Sequence, residues 1–304
     1  MMQRWRVLDC SKMHGRLRAQ RGAIEILRDE GEPAVVPVAD VSVVLVGVSV
    51  SFSTAVIHRL LREDIAVIFC DWKGVPEGAA YSNQDHCRVG ARHLAQVRLS
   101  LPRKKNAWGK IVEAKVLGQA NVLKEHGLAE ALDLKALAND VRSGDPTNIE
   151  ARAAKIYWQA LASSKEFRRR PGKGTEKGGS SNRNAHLDYA YTILRGHGIR
   201  AVMAAGLSPT LGVYHRGRSN YFSLVDDLME PYRPAIDSAV FELENDAQIE
   251  EGNVRRHLVE AASRVFSTDG LHIPSSFSSL AQQYGRYVEG EVSRLDITPW
   301  QGPF

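Results

Sequence analysis

Cysteine is scarce in this chain: Cys10, Cys70 and Cys87 are its only three, and no two stand as C-x-x-C. An odd, scattered set argues against a disulfide framework and against a structural zinc site. Cys70 closes the apolar run Ile65–Phe69 and reads as a buried thiol. Long apolar runs are missing too. The most apolar stretch, residues 41–57, is broken by Ser42, Gly47, Ser49, Ser51 and Ser53, and it is shorter than the ~20 residues of a spanning helix. The start, Met-Met-Gln-Arg-Trp-Arg, turns polar before the core of a secretion signal can form. A cytoplasmic protein without a membrane role is expected. There is no P-loop and no G-x-G-x-x-G dinucleotide pattern, which counts against a nucleotide-dependent small-molecule enzyme. No internal repeat is visible.

Charge of either sign is nearly balanced, with 40 Lys and Arg against 35 Asp and Glu. The small basic excess is compatible with nucleic acid as a partner and does not demand it. Hydrophobic and charged fractions are those of a soluble globular protein. The 304 residues suffice for one large domain or two ordinary ones.

The chain changes character near residues 75–90. Before that, Ala34–Val38, Val41–Val48 and Ile65–Phe69 read as strands. Thr54–Arg62 reads as a short helix capped by Ser51 or Ser53. After it, apolar residues recur at helical spacing from Leu94 to Leu123 and again in Ala129–Val141, Ile149–Leu161, Leu187–Ala205, Val254–Phe266 and Phe277–Val288. The expected fold is α+β: a small N-terminal β-rich domain, residues 1–80, followed by a larger all-helical domain, residues 86–304. Ser163–Arg183 is basic and rich in Gly and Ser, and reads as a mobile loop. It is either a solvated connection or a phosphate-binding segment using Arg168, Arg169, Arg170, Lys173 and Lys177.

Three segments of the helical part carry chemistry-bearing side chains. Asp145-Pro146 starts a helix that holds Glu150 in its first turns, where Thr147 and Glu150 also have capping-box spacing. A cap and a metal ligand both remain open for Glu150. His215 stands in the Gly-, Pro- and Ser-rich loop 206–220, flanked by Arg216 and Arg218, which raise the local positive potential. Ser223 can cap a helix with Asp226 completing a capping box, and Asp226, Asp227 and Glu230 share a face at helical spacing. Like charges so placed repel, so basic side chains or a cation must offset them. Two carboxylates and one imidazole suit Mg²⁺ or Mn²⁺ and would polarise a phosphodiester, although spacing alone does not bring the three segments together.

Four stretches resemble the type II CRISPR adaptation integrases. Trp108-x-x-Ile111-Val112-x-x-Lys115-x-x-x-Gln119-Ala120-x-x-Leu123 is similar to that family's W-x-x-I-V-x-x-K-x-x-x-Q-A-x-x-L helix. Asn148 to Tyr157 resembles its N-x-E-x-x-A-A-K-x-Y/F element, and Asn184 to Tyr191 its N-A-x-L-N-Y-G-Y helix. Leu207 to Pro234 resembles its long run from L-x-P through H and N-x-F to D-D-x-M-E-P-x-R-P. Asp188 and Ala190 depart from the family's usual asparagine and glycine, and the preceding basic loop is long.

The resemblance implies a β domain and a helical domain, and a homodimer assembled with a small ferredoxin-like second adaptation subunit into a heterohexamer. It implies double-stranded DNA partners, a captured fragment and the CRISPR leader-repeat, with the fragment's 3′-hydroxyl attacking the repeat. It places the metal ligands and catalytic residues on Glu150, His215 and Glu230, with Asp226 and Asp227 tuning the site. A noncatalytic nucleic-acid-binding scaffold, with the acidic residues serving only as caps, is the competing reading.

Overall fold

A computed structural model describes residues 6–72, 76–82, 87–165, 167, 169, 179–215, 217 and 220–303. Lys173, Lys177, Arg168, Arg170, Arg216 and Arg218 of the basic candidates lie outside the described residues. The N-terminal part comprises β1 (Arg6–Cys10), β2 (Gly15–Gln20), β3 (Ala23–Arg28), β4 (Ala34–Pro37), β5 (Val41–Val46), β6 (Val50–Phe52), α1 (Thr54–Arg62), β7 (Ala66–Cys70) and β8 (Pro76–Ala80). Helices follow: α2 (Val89–Arg98), α3 (Leu101–Glu125), α4 (Ala131–Asn139), α5 (Ile149–Lys165), α6 (Gly179–Ala204), α7 (Ser223–Leu228), α8 (Arg233–Glu242), α9 (Gly252–Ala261) and α10 (Ile273–Val288). The architecture is α+β, strands first and helices after. Among the described residues no helix is long and apolar enough to cross a membrane.

Two four-stranded sheets stack in the N-terminal part. One has the order β1-β5-β7-β8, parallel except for β8, and the other the order β4-β3-β2-β6. Every residue of β5 is buried, as expected of a parallel strand covered on both faces. Val44 and Val46 face the second sheet and α1, whereas Val43 and Leu45 join the core of the helical part. The hydrophobic core therefore runs continuously across the boundary between strands and helices. Strands β2 and β3 are absent from the sequence reading because Arg16, Arg18 and Glu25 dilute the apolar signal of Leu17, Ile24 and Ile26. Cys10 and Cys70 are buried, and burial pushes both thiols up to about 12.

Helix α6 is the axle of the molecule. From Asn182 to Ala205 no residue is exposed, because the first sheet lies on one side and α7, α8, α9 and α10 lie on the others. Gly198 makes this possible. A Cβ there would stand 2.7 Å from both Phe277 Cζ and Val225 Cγ1. Tyr189 donates from its hydroxyl to Asp9 of β1, and Arg200 donates to the Asp64 carbonyl at 2.9 Å, so α6 is also stitched to the strands. At the far end Trp300 is fully buried, with its carbonyl accepting from Asn121 Nδ2 of α3 at 2.6 Å.

The loop expected over Ser163–Arg183 is shorter than the composition implies. Ser163 to Lys165 end α5 and Gly179 begins α6. Phe167 is buried, and so is Arg183, which donates to the Val240 carbonyl at 3.1 Å and to Asn245. A guanidinium that caps a neighbouring helix end looks, in sequence, like one more loop charge.

Two expectations follow. Gly198→Ala should destabilise the fold by about 1–3 kcal/mol through overpacking, read as a lower urea midpoint; an unchanged midpoint would deny the tight α6 contact. His197 is 3% exposed, and burial, aided by Arg200, lowers its pKa to about 3. Its proton therefore binds the unfolded chain better than the folded one. The stability it contributes is present above about pH 6.5 and is lost as pH falls below that, by up to ~1.4 kcal/mol per unit. His197→Gln should flatten the decline in melting temperature between about pH 6.5 and pH 5.

Candidate metal and phosphodiester site

Glu150 enters the site because another residue caps its helix. Asp145 and Asn148 adopt left-handed backbone conformations, φ 48° and 52°, which asparagine and aspartate tolerate best after glycine. The turn aims the Asp145 carboxylate at the helix start, where it accepts the amides of Ile149 at 2.7 Å and Glu150 at 2.9 Å. The capping box expected between Thr147 and Glu150 is not formed. The Glu150 side chain is free to reach Lys115 Nζ of α3 at 2.7 Å.

Glu230 arrives from a different geometry than helical spacing suggests. Helix α7 stops at Leu228, and Glu230-Pro231-Tyr232 form a 3₁₀ turn before α8. Asp226, Asp227 and Glu230 consequently do not share one helical face. Each carboxylate instead has its own partner: Asp226 pairs with Arg195 at 2.8 Å, Asp227 with the His215 ring, and Glu230 with both Lys115 at 2.6 Å and Arg233 at 2.9 Å. Asp226 also accepts from Asn220 Nδ2 at 2.7 Å, so the capping box expected with Ser223 is absent as well.

Lys115 is therefore the hub. Its ammonium sits between two carboxylates from different elements, 12% exposed. Burial alone would lower its pKa, yet Glu230 and Glu150 outweigh burial and raise it. For Glu230 burial pushes the other way, and Arg233 and Lys115 hold its carboxyl below the usual range. Gly118, one turn along α3, permits the approach: a Cβ there would stand 2.9 Å from Pro234 Cγ.

His215 is fixed from behind by Asp227, which is fully buried. The carboxylate faces the ring Nδ1 and also accepts the Tyr214 amide at 2.8 Å. That hydrogen bond raises the imidazole pKa, with burial opposing it and Asp227, Glu230 and Glu150 adding to it. Burial raises the Asp227 carboxyl in turn, against the hydrogen bonds from His215 and Tyr214. A histidine that gives Nδ1–H to a carboxylate keeps Nε2 as an acceptor, the outer-shell arrangement usual behind metal-binding imidazoles.

The structure thus brings Glu150 and Glu230 onto one cationic group, with His215 within their electrostatic reach. Among the described residues no three His, Cys, Asp or Glu side chains converge closely enough to hold an ion in this arrangement; an ammonium stands between two of the three candidates. Two carboxylates with an imidazole nearby are a donor set of the kind that Mg²⁺ or Mn²⁺ accepts. Arg169, the one described member of the basic candidates, directs its guanidinium at α6, bonding Asn184 and Asp188 at 2.8 Å each.

Sequence reasoning has Lys115 and Arg233 inside the family motifs but gives neither a role. Lys115 lies seven residues beyond Trp108, on the same face of α3, and this spacing was the available signal. Arg233, three residues beyond Glu230, sits 4.6 Å above the Tyr191 ring. Tyr191 and Tyr157 both donate to buried Asp237, which burial raises to about 6 against those hydrogen bonds.

The profile of the family described as CRISPR associated protein Cas1 matches residues 11–266. The CRISPR-associated endonuclease Cas1 of Neisseria meningitidis serogroup C (strain 8013) is 34% identical over 273 residues, spanning 88% of this chain and 85% of that one. Among solved structures, a casposase bound to integration product matches with TM-score 0.76 at 20% identity, covering 95% of this chain and 92% of the other. A Cas6-RT-Cas1–Cas2 complex matches with TM-score 0.71 at 18% identity, covering 95% of this chain and 35% of the other. At those identities the two structures share the fold. The family profile and the Neisseria relative together show that this chain belongs to the CRISPR-associated Cas1 family.

Proposed function

We propose that this protein is a divalent-metal-dependent DNA endonuclease and integrase that inserts short foreign DNA fragments into a CRISPR repeat array. The observation that carries the reading is the sharing of one cation by Glu150 and Glu230, beside a histidine pre-oriented by Asp227. The family relatives are CRISPR-associated endonucleases, and one structural relative is bound to an integration product. The partners proposed are double-stranded DNA, a second copy of this chain, and a small second adaptation subunit such as the Cas2 of the matched complex.

Glu150, His215 and Glu230 would hold Mg²⁺ or Mn²⁺. When bound, the ion supplies Lewis-acid polarisation of the phosphodiester and offsets charge on the attacked phosphoryl group. The chain's own residues supply the rest. Asp227 orients the imidazole, and Arg233 locks the outer oxygen of Glu230. Lys115 keeps the carboxylates together and places positive charge beside the incoming phosphate. The fragment's 3′-hydroxyl oxygen forms the new P–O bond. The repeat's own P–O3′ bond breaks, and the departing 3′ oxygen takes up a proton. One phosphodiester replaces another, so no oxidant and no covalent enzyme intermediate is required.

The competing scaffold reading needs the acidic residues to act as caps, whereas Asp145 rather than Thr147 accepts the Glu150 amide and the Glu150 carboxylate is paired with Lys115. Joining of a fragment to a repeat-containing duplex, with the second subunit and Mn²⁺ present, should fall at least ~100-fold in Glu150→Gln, His215→Gln and Glu230→Gln, because the Lewis acid contributes several kcal/mol. Chelator should abolish joining in the wild type. Wild-type rates in these variants would end the proposal. Lys115→Met should cost about 1–3 kcal/mol of stability in the metal-free protein by leaving Glu150 without its cation and Glu230 with Arg233 alone. Calorimetry should then show Mn²⁺ raising the melting temperature more in this variant than in the wild type.

A further inference from the structure

Beside His215 a planar side chain lies open to solvent on a rigid support. Tyr214 is 51% exposed, although its ring stacks on Trp108 with centroids 4.3 Å apart and planes 6° from parallel. Trp108 is itself buried at 2% exposure, so it cannot move aside. Both rings meet the His215 imidazole edge-on, at 5.5 Å from Tyr214 and 5.7 Å from Trp108. The Tyr214 main chain is pinned as well, through its amide on Asp227. One face of the phenol ring is filled by indole. Half of the residue's surface nevertheless reaches solvent, on a ring held parallel to a buried indole and one residue from a candidate metal ligand.

We propose that Tyr214 is a stacking platform for a nucleobase within one nucleotide of the phosphate being joined. Bases stack on aromatic side chains without sequence preference because each has a π face. A platform backed by a second ring costs little ordering on binding, since its rotamer is already held. The placement suits positioning of a reacting strand end: the base is clamped while its phosphate or 3′-hydroxyl faces Glu150, Glu230 and His215. Tyr214 is in this sense a positioning residue. Its ring is the working part, and its hydroxyl has no role. The inference rests on the integrase reading and assigns a DNA contact within it.

The test uses the full-length chain with its second subunit and two DNA probes, each carrying 2-aminopurine. One has the fluorescent base at the 3′ end of the fragment, and the other has it in the repeat beside the joined phosphate. Fluorescence is read in chelator, so that binding is separated from chemistry, and joining is followed in parallel with Mn²⁺. Tyr214→Phe keeps the ring, whereas Tyr214→Leu covers Trp108 without offering a plate. Both keep the backbone amide on Asp227, so the imidazole stays oriented.

Quenching of either probe by wild type and Tyr214→Phe, lost in Tyr214→Leu together with about tenfold weaker binding of that DNA, supports the platform and identifies which strand it holds. Quenching of neither probe by wild type, equal quenching by Tyr214→Leu, or a Tyr214→Phe variant as defective as Tyr214→Leu would each overturn it. Failure of the wild type to join DNA with Mn²⁺ strikes the integrase reading instead, because stacking is measured without metal.

Discussion

Two carboxylates and one ammonium, brought from three separate elements into a nearly closed space, set the terms for the rest of the structure. Buried charges are tolerated only when paired and further hydrogen-bonded, because desolvation costs several kcal/mol per ion. Lys115 of α3 cannot be withdrawn from water unless Glu150 of α5 and Glu230 of the 3₁₀ turn are already beside it. The crossing of α3 over those elements is therefore fixed by charge as well as by apolar packing. Gly118 lets the helices close to that distance, and Pro231 and Pro234 shape the turn that delivers Glu230.

A second ring of interactions keeps the first from collapsing or drifting. Arg233 holds Glu230 on one side and lies over Tyr191 on the other. Tyr191 and Tyr157 close on Asp237, which accepts both hydroxyls deep in the helical core. Such a network in low dielectric is stiff because every member that moves leaves a buried polar group unpaired. Its chain of contacts runs from α8 to α6 and α5, so the position of Glu230 is tied to the helix on which the whole core turns. A site that handles DNA, whose charge would otherwise pull at loose cationic side chains, gains from that rigidity.

Much of the fold was legible in local pattern. Thr54–Arg62 follows from its apolar spacing, and the valine run at 41–46 from the demands of a strand covered on both faces. The β2–β3 hairpin was not, since its alternation is diluted by charges that matter only once a second sheet exists. At the site, the family motifs point to Glu150, His215 and Glu230, yet residue spacing alone leaves Glu150 divided between cap and ligand. The distinction depends on Asp145 reaching over a left-handed turn, a backbone event with no periodicity to reveal it. Helical spacing also misleads at Asp226, Asp227 and Glu230, because the chain leaves the α-helix just before Glu230. Lys115 stands in a family motif, yet a lysine in an amphipathic helix reads as surface; only the fold supplies the two acids that bring it inside.

Exposure across the site changes in one direction, and the change is functional in character. Asp227 and Asp237 are fully enclosed, Glu230 and Lys115 are nearly so, Glu150 is partly open, and His215 with Tyr214 reaches solvent. Groups that only orient others lie at the bottom, where low dielectric makes each hydrogen bond strong. On the proposed reading, the His215 and Tyr214 side chains at the mouth are the ones a strand can approach without entering the core. The gradient is the one the proposed reading calls for, an open mouth for an anionic polymer above a closed and pre-oriented floor.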